Sequence, residues 1–332
     1  MIDRSNPLQP HGDLNALVEA FFRTSFSTDN PVITEAVQRM LAAGGKRLRP
    51  RFTLLAVEAN GGAPRDYLPL AAYMELIHVA ALIHDDVVDR AATRRGVNST
   101  AVDYGNQVSI LAGDYLFAWI FKNVTKDYPS PVPHILATAV ADLTDGEVLQ
   151  HRAVGNPALT FSEYLDIVIK KTSSLFAAAG ECGAIMTGAS PLRVKALRDF
   201  GHFFGIAFQM HDDMLDFVAD ESELGKPVGN DLRERKVTVP LILALANAAP
   251  DFQELVTRFY ASGDGSDASR EAVSALVAAV GEAGGLLKTR DAIAGYVERA
   301  KSALAPLGSV AARAELVALA DTLARESASR AR

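Results

Sequence analysis

Two short stretches, LIHDDVVDR at 82–90 and FQMHDDMLDF at 208–217, each place three aspartates in a largely apolar setting. On an α-helix, residues four apart share a face, whereas the next residue along is turned away by about 100°. In the first stretch, Asp85 and Asp89 can therefore approach one ligand together. We expect Asp86 to point elsewhere or to brace them.

The second stretch repeats this arrangement, with Asp212 and Asp216 on one face and Asp213 in the middle position. Like charges at this spacing repel by about a few tenths of a kcal/mol, so a compensating ligand is expected. Mg²⁺ fits, because it prefers oxygen ligands and is commonly held by one or two carboxylates together with substrate phosphates. One such cluster alone would suggest a solvated helix end, whereas two matching clusters favour a metal site. An iron–carboxylate bundle would need a second Glu-x-x-His pair besides ELIH at 75–78.

Basic residues accompany both acid clusters. Taken singly, each is typical of a solvated surface cation, but together they predict two anionic groups. One group would be bridged by magnesium to the acids, and the other held by Arg and Lys alone. The segments concerned are GGKRLRPR (44–51), Arg94 and Arg95, Lys170 to Thr172, and GKPVGNDLRERK (225–236).

These side chains must be positioned by helices, because apolar residues recur every three or four places and alternating strand patterns are scarce. The pattern predicts an all-α chain forming a single domain over 1–332, without an internal repeat. Predicted helices cover 67–91, 107–122, 134–151, 162–187, 192–219, 236–248, 269–281, 287–304 and 310–329.

Composition narrows the function classes. The net charge of −7, the absence of a basic stripe and the single Trp argue against a nucleic-acid binder. Cys182 lies in a run of small residues, which favours a packed thiol in a reducing compartment. The N-terminus lacks a signal-peptide pattern, and no uninterrupted apolar run approaches the roughly 18–20 residues of a membrane span. We therefore expect a soluble, cytoplasmic protein.

Between about residues 40 and 240 the sequence closely resembles the trans-isoprenyl diphosphate synthases, or polyprenyl synthetases. The motifs that carry the resemblance occur in the family's order: GGKRLRP, ELIHVAALIHDDVVDRAATRRG, GDYL, DGE, KKTSSLF, GIAFQMHDDMLDF and GKPVGNDLRERKVTVP. Beyond about residue 250 the likeness is only that of generic helices. The resemblance implies an isoprenoid synthase-type helical bundle around a deep central cavity, with the two acid clusters facing each other across its mouth.

The resemblance also implies a role for each matching residue. Three Mg²⁺ ions are expected, two held by Asp85 and Asp89 and the third by Asp212 with support from Asp216. Isopentenyl diphosphate would bind Lys46, Arg49, His78 and Arg95. The allylic diphosphate would bind Arg94, Lys171, Thr172, Gln209 and Lys226, with Lys236 as a possible closing contact. His84 and His211 are expected to pack rather than to bind metal.

The implied reaction is ionisation of the allylic diphosphate, attack by the double bond of isopentenyl diphosphate, and loss of a proton to the departing diphosphate. Residues four and five before the first aspartate form the floor for the growing chain in this family. They are Ala81 and Ala80 here, with Ile77, Leu76, Met74 and Tyr73 deeper on the same helix. Two small residues predict a product longer than C20, in the range C30 to C50.

Several alternatives stay open at this point. A shorter C15 or C20 product is one, and a subunit of a heteromeric synthase is another. A terpene cyclase or head-to-head condensing enzyme would share the fold, although cyclases usually lack the GGKRLRP site. An all-α magnesium-dependent pyrophosphohydrolase would need no isopentenyl diphosphate. A homodimer is expected from the resemblance alone.

Overall fold

The computed structural model describes residues 14–218, 228–246, 248–261 and 269–330. Over these ranges the chain is helical apart from turns and one short antiparallel hairpin, β1 (Thr93–Arg94) with β2 (Val97–Asn98). The predicted all-α class is confirmed. By internal contacts the chain forms two compact units. Unit 1 comprises Met1–Thr138, Ala178–Lys195 and Val310–Ala312, and unit 2 comprises Ala139–Ala177, Ala196–Ser309 and Arg313–Arg332. The prediction of a single domain stays a prediction.

The helices up to residue 127 surround a long central one. They are α1 (Leu14–Ser25), α2 (Pro31–Ala42), α3 (Leu48–Ala59), α4 (Leu68–Val88), α5 (Thr100–Tyr104) and α6 (Asn106–Asp127). The α4 helix follows a 3₁₀ turn at Pro64–Tyr67 and carries a proline in its first turn, where no backbone donor is needed. The segment Pro64–Val88 is long and apolar enough to cross a membrane, but 72% of its most apolar window is buried inside the fold, as in a core helix.

One of the helices after residue 127 carries the second acid cluster. These helices are α7 (Val132–Ala153), α8 (Phe161–Val168), α9 (Ser174–Met186), α10 (Pro191–Val218), α11 (Asn230–Arg233), α12 (Val239–Leu245), α13 (Pro250–Ala261), α14 (Arg270–Glu282), α15 (Gly285–Ala303) and α16 (Ala311–Arg330). A second 3₁₀ turn covers Ala305–Leu307. The α8 helix starts with a capping box, because Thr160 and Glu163 each satisfy the other's backbone N–H.

The predicted helix at 162–187 differs from the observed one. Helices α8 and α9 are joined by one π-helical turn, Ile169–Ser173, which contains both lysines and the threonine of KKT. Apolar periodicity cannot distinguish a π turn from an α turn, and π turns occur preferentially at functional sites. In unit 2, the rings of Phe176, Phe200, Phe204 and Phe208 pack against one another, and the centroids of contacting rings lie 5.4 to 6.3 Å apart.

Candidate active site

The first acid cluster lies at the C-terminal end of α4. Asp85 and Asp89 are partly exposed, whereas Asp86 is fully buried. Arg94, on β1, donates from Nε and Nη2 to Asp86 Oδ1 at 2.8 and 2.5 Å. Burial raises the pKa of Asp86, and Arg94 partly offsets this by favouring the charged form. Asp86 therefore braces the cluster, as the helical spacing predicts.

The position of Asp85 and Asp89 favours a cation. They occupy the last turn and the C-cap of α4, where the unpaired carbonyls give the helix end a partial negative charge. Two carboxylates added to that end repel each other and the helix dipole. A hard divalent cation relieves both effects.

Arg95, in the turn of the β hairpin, contacts the GGKRLRP motif in the loop before α3. Arg95 donates to the carbonyl of Gly44. A Cβ on Gly45 would lie 2.8 Å from Arg95 Nη1, and both glycines have positive φ angles, +79° and +143°. The backbone conformation favours glycine at both positions, and at Gly45 the Arg95 side chain also approaches closely. Lys46 follows them directly and is exposed.

His78 lies within this cationic group. Burial, followed by the charges of Arg49, Arg95 and Arg94, holds the pKa of His78 well below its usual value of 6.5. The imidazole is therefore neutral at physiological pH and has one N–H to donate. Three of the four residues predicted for isopentenyl diphosphate, Arg49, His78 and Arg95, are thus close enough to interact electrostatically. Lys46 lies in the loop just before α3, the helix that carries Arg49.

The second acid cluster, on α10, is organised around Asp213. Tyr164 Oη donates to Asp213 Oδ2 at 2.6 Å, and Gln209 Nε2 donates to Oδ1 at 2.8 Å. Gln209 Oε1 accepts from Thr172 Oγ1 at 2.7 Å. Burial, together with Asp213, raises the pKa of Tyr164 well above its usual value. Asp213 therefore has the bracing role expected for it, and this chain of hydrogen bonds fixes two residues predicted for the allylic diphosphate.

Asp212 and Asp216 have different surroundings although they are four residues apart. Asp212 is exposed, whereas Asp216 is only 1% exposed. One oxygen of Asp216 accepts the backbone N–H of Asp231 at 2.9 Å, and its own carbonyl accepts the N–H of Gly229 at 2.8 Å. Asp216 thus anchors the segment that begins at 228, a role that the spacing alone does not predict.

Lys171 is held by the DGEVLQ segment of α7. Its ammonium forms an ion pair with Glu147 and donates to Gln150 Oε1 at 2.6 Å, while Lys170 pairs with Asp145. The backbones approach closely, since a Cβ on Gly146 would lie 2.5 Å from the Lys171 nitrogen. The sequence contains DGE as a motif, but its spacing gives no indication that it pairs with KKT.

The two histidines that precede the acid clusters pack as predicted. His84 Nε2 lies 3.0 Å from the carbonyl of Ile110, and a Cβ on Gly113 of the GDYL motif would lie 2.2 Å from that nitrogen. His211 is buried, with Nδ1 2.8 Å from Ser327 Oγ. Both histidines therefore have partners within the protein, and the expectation that they are not metal ligands stays a prediction.

Of the remaining predicted residues, Lys236 lies 2.7 Å from Glu234 Oε2. Lys226 falls outside the described residues. Cys182 is buried, and burial raises the pKa of its thiol, as expected for a packed cysteine.

The donors fit magnesium in kind. Asp85, Asp89 and Asp212 supply carboxylate oxygens, the ligands that this ion prefers. Among the residues that the structure describes, no three His, Cys, Asp or Glu side chains come together as a metal-binding group.

Comparison with known proteins gives the family. The model of the family described as polyprenyl synthetase matches residues 30–278. The chain belongs to the polyprenyl synthetase family. It is accordingly a prenyltransferase with the isoprenoid synthase helical fold.

Relatives of this polyprenyl synthetase differ in the product lengths their names give. A short chain isoprenyl diphosphate synthase of Methanothermobacter thermautotrophicus is 38% identical over 305 residues, 90% of this chain and 92% of the relative. The crystal structure of a decaprenyl diphosphate synthase from Rhodobacter capsulatus superposes with a TM-score of 0.87 at 39% identity, covering 95% of this chain and 96% of that one. A polyprenyl synthase of Caulobacter crescentus, solved with calcium and isoprenyl diphosphate, has a TM-score of 0.86 at 36% identity, covering 94% and 93%.

The predicted chain-length residues of this polyprenyl synthetase lie in the apolar part of α4. Ala80 and Ala81 are buried with only methyl side chains. About two turns further from the acids, the Tyr73 ring makes edge contacts with Trp119 and Tyr128, with centroid distances of 6.0 and 6.1 Å. The first large aromatic group along α4 from the acids is therefore Tyr73.

Proposed function

We propose that this prenyltransferase condenses isopentenyl diphosphate head-to-tail with an allylic diphosphate, in a magnesium-dependent reaction, to make an all-trans polyprenyl diphosphate longer than C20. One observation carries the proposal. The α4 helix carries neutral His78, which interacts with nearby arginines. Two turns further along the same helix it carries Asp85 and Asp89, an acid pair suited to a cation. A cation site and an anion site on one helix fit a reaction that uses two diphosphates.

The cationic group serves isopentenyl diphosphate. Lys46, Arg49 and Arg95 supply charge and donors, and neutral His78 supplies one N–H. Arginine suits this role because its planar guanidinium binds phosphate with two parallel hydrogen bonds. A cyclase or a pyrophosphohydrolase, which acts on one diphosphate, would have no use for this second group.

The allylic diphosphate is assigned to Arg94, Lys171, Thr172, Gln209 and Lys226, and three magnesium ions to Asp85, Asp89, Asp212 and Asp216. Magnesium, when bound, supplies positive charge to the leaving diphosphate. Lys171 adds a cation on the π turn, which the Thr172–Gln209–Asp213 hydrogen bonds keep in place. The allylic C–O bond then breaks, the double bond of isopentenyl diphosphate attacks the carbocation, and the departing diphosphate takes the proton. Charges placed in advance, rather than a protein nucleophile, lower the barrier.

Product length is proposed from α4 itself, because the relatives include both short-chain and decaprenyl enzymes. With methyl groups at Ala80 and Ala81, the growing chain can pass the level at which an aromatic residue would stop it. We place the product at C30 to C50. A C15 or C20 product is the second candidate, favoured by the Tyr73 ring and its aromatic neighbours.

The test supplies the purified chain with farnesyl and isopentenyl diphosphates and Mg²⁺, then sizes the products by chromatography. The expected result is a product of C30 or longer, which EDTA abolishes. Ala80→Phe should shorten it, whereas Ala137→Phe, at an exposed position on α7, should not. A product that stops at C15 or C20 would refute the long-chain proposal, and no turnover by the pure chain would indicate a heteromeric synthase.

We also propose that two copies associate through α6. Ile110, Leu111 and Tyr115 are exposed by 44%, 59% and 38%, and Val102 on α5 by 55%. Several exposed apolar side chains on one helix and its neighbour in the sequence are typical of an interaction surface. A homodimer mass in light scattering is the expected result. The cytoplasmic location stays a prediction.

A further inference from the structure

Arg47 differs from the other cations of the GGKRLRP motif in conformation. It precedes α3 with φ +47°, in the left-handed region that non-glycine residues rarely adopt. Its side chain is turned inward and the residue is only 2% exposed, whereas the preceding Lys46 is exposed. The left-handed backbone thus sends two adjacent cations in opposite directions.

The buried guanidinium of Arg47 connects three helices. Nε donates to Glu19 Oε1 on α1 at 2.5 Å, Nη1 to Glu75 Oε1 on α4 at 2.8 Å, and Nη2 to the carbonyl of Leu41 on α2 at 2.6 Å. The guanidinium carbon also lies 5.1 Å from the ring centroid of Phe22 on α1. The planar fork of arginine can make all these contacts at once, which a lysine ammonium cannot.

Glu75 joins this group to the proposed isopentenyl diphosphate site. It is 2% exposed and lies three residues before His78, so the two side chains project from neighbouring positions on α4. The charge of Glu75 also acts on Arg95, and the charge of Arg47 acts on both His78 and Arg95. The Arg47–Glu75 pair is therefore close enough to His78 and Arg95 to act on them electrostatically.

We propose that Arg47 is a positioning residue for isopentenyl diphosphate and does not touch the substrate. Its ion pair with Glu75 fixes the loop that carries Lys46, and the start of α3 that carries Arg49, relative to His78, so that all three meet one diphosphate. The inference rests on the proposed function, because it needs the isopentenyl diphosphate site. Removing either partner alone would leave a buried charge without compensation, so the pair has to be replaced together.

The experiment compares steady-state kinetics of Arg47→Met/Glu75→Met, Arg47→Lys and Glu19→Gln with the unchanged protein. For the double variant we expect the KM for isopentenyl diphosphate to rise by about tenfold or more, with kcat and the KM for farnesyl diphosphate within about twofold, the pattern of lost substrate binding. Arg47→Lys should show a smaller rise in the same KM. Arg65→Met, which removes an exposed cation from the 3₁₀ turn, is the matched control and should change neither KM.

A cooperative thermal transition establishes that each variant is folded. A folded double variant with an unchanged KM for isopentenyl diphosphate, or with equal rises in both KM values, would overturn the positioning role. If the double variant does not fold, Arg47→Lys decides by the same criterion. Glu19→Gln should then change neither KM, since Glu19 is partly exposed and its loss leaves the buried pair intact. If the unchanged protein itself does not turn over isopentenyl diphosphate, the proposed function fails first and this inference with it.

Discussion

The substitution Gly146→Ala tests whether catalysis depends on the position of the π turn. The Cβ of Gly146→Ala would meet the Lys171 nitrogen at 2.5 Å and its Cα at 2.9 Å. Both are backbone atoms, so no side-chain rotation can relieve the overlap. Ordinary contacts begin at 3.4 Å, and α7 and the π turn must therefore separate by about 1 Å.

That displacement determines the expected losses of activity and stability. A shift of about 1 Å in a catalytic group costs on the order of 10²-fold in rate, because the charges no longer match the transition state. Overpacking costs about 1–3 kcal/mol of unfolding free energy. Replacing a helical glycine by alanine raises the unfolding free energy by up to about 1 kcal/mol. We therefore expect a folded variant, destabilised by roughly 0–3 kcal/mol, whose kcat/KM for the allylic substrate falls about a hundredfold.

The assay measures kcat/KM for farnesyl diphosphate at saturating isopentenyl diphosphate, alongside chemical denaturation. Gly295→Ala on α15 is the control, because a Cβ there would meet nothing within 4 Å. It should leave activity unchanged and stability equal or higher. If Gly146→Ala is folded and retains the original kcat/KM, the placement of Lys171 by the π turn is irrelevant to catalysis and the reasoning is refuted.

Four further substitutions probe other contacts. Asp212→Asn, at an exposed site, should lower kcat by about 10²-fold or more with little change in Tm. Asp213→Ala should instead cost about 1–3 kcal/mol of stability, because it leaves buried partners unpaired. Steady-state kinetics and thermal unfolding measure the two effects, and the reverse pattern would contradict the prediction. His78 is kept neutral in the fold, so the unfolded chain binds the extra proton and stability falls as the pH drops below 6.5. Between pH 7.5 and 5.5, denaturation should show the unchanged protein losing up to about 1.4 kcal/mol more than His78→Asn, and parallel curves would disprove it. Leu111→Glu should shift the mass in light scattering from dimer to monomer, and an unaltered mass would exclude α6 as the interface.

Long amphipathic or apolar segments are what the sequence predicts best. The boundaries of α4 and α10 agree with the predicted helices to within three residues, and the bracing roles of Asp86 and Asp213 follow from their position on the helix. The first helix was within reach of the same method, because Leu14, Val18 and Phe22 recur every four residues and are buried.

Other features depend on tertiary contacts, which spacing does not encode. The π turn at Ile169–Ser173 is accommodated because Gly146 and Gly205 let neighbouring backbones approach it. Asp216 is buried because the backbone N–H of Asp231, fifteen residues later, reaches its carboxylate. The inward turn of Arg47 depends on a left-handed backbone that no residue type in the motif demands. In each case the decisive partner is distant in the sequence or is a backbone atom.

The ion pair between Lys171 and Glu147 has a consequence for the proposed binding of a diphosphate, because one anion would have to replace another. A diphosphate that takes Lys171 has to displace a carboxylate and the amide oxygen of Gln150, not only water. The binding free energy that the diphosphate gains is therefore the difference between its own interaction with the ammonium and that of the carboxylate it displaces. A weakly charged anion gains little from that exchange, whereas a multiply charged one gains much more. On the proposed assignment of Lys171, the lysine would discriminate between ligands by their charge, a form of selectivity that requires no contact with the prenyl chain.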